Sequence, residues 1–174
     1  DFLIGNGVSA GIYKYDKNGK YLSTFSTGHG GMGITINEDH NEVWANSYNH
    51  NVSKYDLNGT LLISNFGNSS QNFSIFIDSA NYMYITSGSH GVQVYDPSRN
   101  YSHLLTAPNY GSINNPAGVT EDLDGHILVA HRYGHNILEF DSASNGNTWL
   151  KTWGNDGNIP YGNTKLSYPT DVTV

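Results

Sequence analysis

The chain has no cysteine, which removes both a disulfide framework and thiolate metal sites. Only 8 residues are Lys or Arg against 15 Asp and Glu, and the net charge of −7 with no basic stripe argues against nucleic acid as a partner. The apolar runs stop at about five residues, far short of the roughly 20 that a membrane-spanning helix needs, so no membrane span is expected. Strong helix formers are scarce, and no stretch repeats its apolar residues at helical spacing. No signal-like start is present and the first residue is not Met, which reads as a mature chain, a fragment, or a piece built without its ends. A G-x-S-x-G nucleophile motif is missing too. The Gly-rich stretch from Gly28 to Gly33 leads into a strand rather than a helix and has no Lys-[Ser/Thr] of a phosphate loop.

What is abundant is turn and strand chemistry. The sequence holds 20 Gly and 22 Asn, residues that accept positive φ, and 13 Tyr, which fit pleated, half-buried surfaces. The stretch Asn115–Asp141, NPAGVTEDLDGHILVAHRYGHNILEFD, reads as three short strands joined by two tight turns. A lone meander of this kind cannot bury its faces and needs neighbours.

Those neighbours recur along the chain. Asp16, Asp56, Asp96 and Asp141 each close an apolar-polar-aromatic strand (IYKYD, VSKYD, VQVYD, ILEFD), at separations of 40, 40 and 45 residues. The strand before each one recurs as FLIGN, EVWAN, YMYIT and ILVAH. A period of about 40–50 residues with several strands per repeat is the mark of propeller blades. The expected fold is therefore all-β, a β-propeller of four-stranded antiparallel blades in one domain over residues 1–174. The four repeats cover about 1–32 plus 168–174, 33–72, 73–115 and 116–167. Sheets avoid open edges, and Tyr168-Pro-Thr-Asp-Val172 matches Asn115-Pro-Ala-Gly-Val119 in its Pro and Val. Asp171–Val174 is accordingly expected to pair beside Phe2–Asn6 and close the first blade. The simplest result is a four-bladed ring. Two further repeats outside the chain, or donation of the strand to a neighbouring molecule, are the rivals.

The copy PAGVTEDLDGHILVAHRYGHNILEFD resembles an NHL repeat: P-x-G-hydrophobic, D-x-D-G in the turn, an apolar strand, then a turn before I-x-V-F-D. The copy from Gly33 to Gly67, with Asn49-His50 in its turn, is similar. The resemblance covers essentially the whole chain and implies a propeller, in that family usually six-bladed and mostly a binding platform, with lyases and lactone hydrolases among related propellers. The sequence departs from the pattern where an acidic residue often ends the second strand. Asn6, Asn46, Thr86 and His131 stand there instead, which takes away a ring of carboxylates.

Several side chains are candidates for chemistry. His50, His90 and His135 hold the same place in three repeats, six residues before the repeat Asp. The plain expectation is that they tie down turns. With His29 and His131 they share one face of a propeller, so a metal site is the alternative, imidazole being a common ligand. Asp122-Leu-Asp-Gly125 with Glu121, and Glu38-Asp-His-Asn41, faintly resemble calcium loops but lack the spacing of one. These acids, like the four repeat Asp residues, are expected to cap turns by accepting backbone N–H bonds. Trp149 and Trp153 are expected to share a face of an outer strand. Asn51, Asn58, Asn68, Asn72 and Asn100 each open an Asn-x-[Ser/Thr] glycosylation acceptor, all expected on or beside turns and loops.

Two functions fit. The first is a non-catalytic, secreted glycoprotein, a binding or scaffold module without a cofactor. Its partner is a protein, a glycan or other copies of itself, and self-assembly is a variant. The second is a propeller lyase or hydrolase with zinc or calcium held by histidines on the axial face. Glycans on Asn51, Asn68 and Asn72 would crowd that face, which favours the first.

Overall fold

The structure, a computed structural model, describes residues 1–6, 11–25, 32–47, 50–67, 71–88, 90–99, 101, 104–105, 113–154 and 166–174. Among these the chain is all-β, with short 3-10 turns and no α-helix. Four antiparallel sheets follow one another along the chain. The first holds β1 (Phe2–Asn6), β2 (Gly11–Tyr15) and β3 (Tyr21–Phe25). The second holds β4 (Gly33–Asn37), β5 (Glu42–Ser47), β6 (His50–Asp56) and β7 (Leu61–Phe66). The third holds β8 (Asn72–Ile77), β9 (Met83–Ser87), β10 (Gly91–Tyr95) and the short β11 (Leu104–Leu105). The fourth holds β12 (Pro116–Glu121), β13 (Ile127–His131), β14 (Asn136–Phe140) and β15 (Trp149–Gly154). Within every sheet the strands lie side by side in chain order. The repeated meander read from the sequence is thus present four times.

One device sets the hairpins. Asp16 Oδ1 accepts the N–H groups of Asn18 and Lys20 at 2.8 and 2.9 Å, and Gly19, at φ 80°, closes the turn onto the Asp16 carbonyl. Asp56 does the same with Asn58 and Thr60, ahead of Gly59 at φ 90°. Asp122 does so with Asp124 and His126, ahead of Gly125. Asp78 accepts from Ala80 and Tyr82, with Asn81 taking the left-handed position at φ 67°. Asp96 accepts from Ser98. Short polar side chains compete for backbone N–H groups in this way and so favour turns over regular structure. With the turns fixed, the period-2 alternation decides which face is buried. On β14, for example, Asn136, Leu138 and Phe140 are buried while Ile137 and Glu139 are only half-buried.

The chain divides into two compact units, 1–75 and 76–174. In the first, Ile12 and Phe25 pack with Val43, Ala45 and Tyr55 as one core shared by two sheets. Gly59 lies on the Phe25 ring, where any Cβ would overlap it. In the second unit, Tyr84, Val92 and Val94 of the third sheet meet Val119, Ile127, Val129, Leu138 and Phe140 of the fourth. Burial of each such side chain stabilises by about 1.5–3 kcal/mol.

Hydrogen bonds fasten the third and fourth sheets at their turn ends. The buried Tyr84 hydroxyl donates to Asp78 Oδ2 at 3.0 Å and accepts the Ala143 N–H at 2.8 Å. Beside it, Glu121 accepts both the N–H and the hydroxyl of Ser79. Burial, the largest influence on both groups, pushes the Tyr84 phenol and the Asp78 carboxyl up from their ordinary ranges.

Two expectations are corrected. Asp171–Val174 forms no strand, and the first sheet ends at β1 with three strands. Asp171 Oδ1 instead accepts the N–H of its own neighbour Val172, and the pair sits against Gly118, whose missing Cβ leaves the space. Nor do Trp149 and Trp153 share a face. A register shift after Glu139 sets Trp149 opposite Phe140 and Trp153 opposite Ile137, residues on opposite sides of β14.

Tyr84→Phe leaves the Ala143 N–H and one Asp78 oxygen without their partner. It is expected to cost about 1–3 kcal/mol, the usual penalty for an orphaned buried group, read as a lower urea midpoint.

Candidate functional site

In the second, third and fourth sheets the residue at or near the end of the second strand, where the family pattern often has a carboxylate, pins a first strand or the chain just before one. The buried Asn46 Oδ1 accepts the Gly33 N–H at 2.5 Å. The buried Thr86 hydroxyl donates to the Ala117 carbonyl. His131, 6% exposed, accepts the Asn114 N–H at Nε2 (3.0 Å) and is bonded through Nδ1 to Asn136 Oδ1 at 3.1 Å. An Nε2 that accepts leaves the proton on Nδ1, so the bonding assigns His131 as the neutral Nδ1–H tautomer. Its ring lies over Gly134, where a Cβ would collide with it. Burial, first among the causes, lowers its pKa from 6.5, with the nearby His135 adding to the shift and the Asn136 bond opposing it.

The other histidines are placed as follows. His135 stands at φ 57° at the end of a 3-10 turn. Its Nδ1 accepts the Tyr168 N–H at 3.3 Å, and its ring meets the Tyr168 ring edge-on at 4.5 Å. The Tyr133 ring also meets Tyr168 edge-on, at 6.0 Å. His90 is exposed in the turn before β10. His50 begins β6, its side chain lying outside the described residues, as does all of His29. Of the five, His131 and His135 are brought together, but among the described residues no group of three metal donors includes either of them.

The acceptor asparagines divide likewise. Asn58 is exposed in the turn after β6. Asn51 lies within β6, with its side chain outside the described residues, and Asn68 and Asn100 lie outside them altogether. Asn72 is the first residue of β8, beside the preceding loop as expected, but its side chain is fully buried and does not face solvent.

One cluster was legible only in part. Asp122 is a turn acid by sequence, but nothing local to the chain marks His126 and Glu139 as its partners. His126 Nδ1 lies 3.5 Å from Asp122 Oδ2 and 3.3 Å from Glu139 Oε1. Asp122 and His126 meet because the hairpin turn after β12 folds the chain back, with the His126 N–H on Asp122 Oδ1. Glu139 enters through the β13–β14 register, in which it opposes Leu128. Glu121, the neighbouring turn acid, is turned away to Ser79. With two carboxylates and an imidazole, the group falls short of the six or more oxygens that calcium takes.

In the first unit a cleft of about 420 Å³ has an apolar wall of Leu3, Val43 and Leu57 and a polar rim of Lys14, Glu38 and Asn41. Its Lys14 is engaged, by Asp1 at 3.3 Å and the Leu57 carbonyl at 3.2 Å. The cleft is of a size to hold a small ligand.

A scan of protein-family models gives no match for the chain, and a search of curated proteins gives none either.

Because His131 binds a proton less readily folded than unfolded, its contribution to stability is present above pH 6.5 and is lost as pH falls through the lowered folded value. Melting is therefore expected to drop from pH 7 to 5. In His131→Gln the melting temperature is lower at pH 7, and the slope over that range is shallower than in the parent.

Proposed function

We propose that the chain is a non-catalytic, extracellular β-propeller glycoprotein of the NHL-like class, acting as a binding or scaffold module. The observation that carries this reading is the repeated meander. Sheets of one internal order recur, with turns closed by the same aspartate device and the second strand pinned to a first strand by a polar residue at one fixed position. Repetition that preserves the frame while its surface residues vary is the design of a recognition platform. The exposed Asn58 supplies a solvent-facing glycan acceptor. In the self-assembling variant, a strand from another copy adds to β1, the edge of the three-stranded sheet. A metal-dependent lyase or hydrolase on the axial face would need imidazoles with an available nitrogen, and His131 has both of its own committed.

Expression through a eukaryotic secretory pathway tests this. The secreted chain is expected to lose mass on N-glycosidase treatment, with Asn58 converted to Asp, while Asn58→Gln removes that share of the shift. A secreted chain with the bare polypeptide mass overturns the glycoprotein reading.

A further inference from the structure

We propose that Asp122, His126 and Glu139 form a binding site for a divalent cation of the zinc class, an inference that goes beyond the scaffold reading and does not rest on it. The donors come from three places that the fourth sheet's register brings together: the turn after β12, the residue before β13, and the outer face of β14. Their ligand atoms all lie within 4.8 Å of one another. Zinc bound at about 2.0–2.2 Å in tetrahedral geometry sets its donors roughly 3.3–3.6 Å apart. The His126–Glu139 and His126–Asp122 separations are 3.3 and 3.5 Å.

The two carboxylates are also held ready. Asp122 Oδ1 is occupied by the N–H groups of Asp124 and His126, which leaves Oδ2 facing the imidazole. Glu139 Oε2 accepts the Trp153 Nε1–H at 2.6 Å, which leaves Oε1 facing it. Trp153 stands outside the donor set and orients one member of it, the part that an outer hydrogen bond plays in metal sites. It also occupies a cation that would compete for the site. Lys151 opposes Glu139 across β14–β15, yet its Nζ lies over the Trp153 ring, 3.3 Å from the centroid. The side chains of Asp122, His126 and Glu139 are 20, 31 and 12% exposed, so water can take the fourth position.

On binding, the cation takes the Nδ1 lone pair and the ring proton resides on Nε2. It then lies between two anions and draws the carboxylates towards itself. An imidazole with two carboxylates suits zinc or a similar transition ion over calcium or magnesium, which prefer oxygen-only shells.

The test is calorimetric titration of chelator-treated protein with zinc chloride, beside calcium chloride, with circular dichroism of every variant. One zinc per chain is expected, with a rise in melting temperature. Glu139→Gln keeps an oxygen for Trp153 but loses the charge, and His126→Ala loses the nitrogen; each is expected to weaken binding by about a hundredfold. Trp153→Phe, which removes only the orienting bond, is expected to weaken it about 10–100-fold. His90→Ala, an exposed imidazole elsewhere, is expected to leave it unchanged. Absence of stoichiometric zinc binding overturns the proposal. So does binding that folded Glu139→Gln and His126→Ala retain, or that His90→Ala abolishes.

Discussion

The fold depends on a carboxylate oxygen that takes backbone N–H groups in the tight turns. At Asp16, Asp56, Asp78 and Asp122 a single Oδ1 satisfies two donors that a reversing chain cannot pair along a ladder. Each turn then fixes the register of the strands that enter and leave it, and a slip of one residue would turn every apolar side chain outward. The electrostatic sign of the device varies with its surroundings. At the exposed Asp56, the Thr60 N–H bond leads the causes that lower its pKa from 3.8, so its charge supports the fold above that value and the support is lost on acidification. At Asp78, burial dominates and raises the pKa. Its contribution is therefore present below pH 3.8 and is lost as pH rises through the folded value. The Tyr84 hydroxyl offsets part of that cost and, in the same bond pattern, reaches the fourth sheet through Ala143.

A second repeated constraint lies at the end of the second strand. Asn46, Thr86 and His131 are chemically unlike, yet each is buried and each bonds to the backbone of a first strand or, at Asn114, two residues ahead of one. What that position requires is a polar atom at a fixed height. Histidine meets the requirement at the cost of a protonation-dependent bond, because a charged ring has no acceptor for the Asn114 N–H. Gly134 is the matching concession, a residue without a side chain beneath the ring. This separates the histidines into different kinds of work: His131 pins a strand, His135 holds the segment at Tyr168, and His126 faces two carboxylates.

The second unit also shows how local chemistry overrides a sequence match. Tyr168–Val172 carries the Pro and Val of a first strand, and the match to Asn115–Val119 is real at the level of residues. In the fold, Tyr168 takes φ 48° against His135 and Tyr133, and Asp171 closes on Val172 beside Gly118. Edge pairing needs a run of extended residues with their N–H groups available, and here a carboxylate has taken one of them.

The sequence by itself determined the all-β class, the four meanders, most strand limits within a residue or two, and the capping role of Asp16, Asp56 and Asp96. These are local properties: alternation, positive-φ residues and short polar side chains act over five to ten residues and recur with the repeat. Tertiary structure alone decided that Asn72 points inward, that Trp149 and Trp153 part across a register shift, and that His131 reaches Asn114. It also decided that Glu139 joins Asp122 and His126. Each of these depends on which residue of one strand stands opposite which residue of another, or on which backbone passes nearby. That pairing is set by ladder register and core packing between segments distant in sequence, where residue spacing along the chain carries no information.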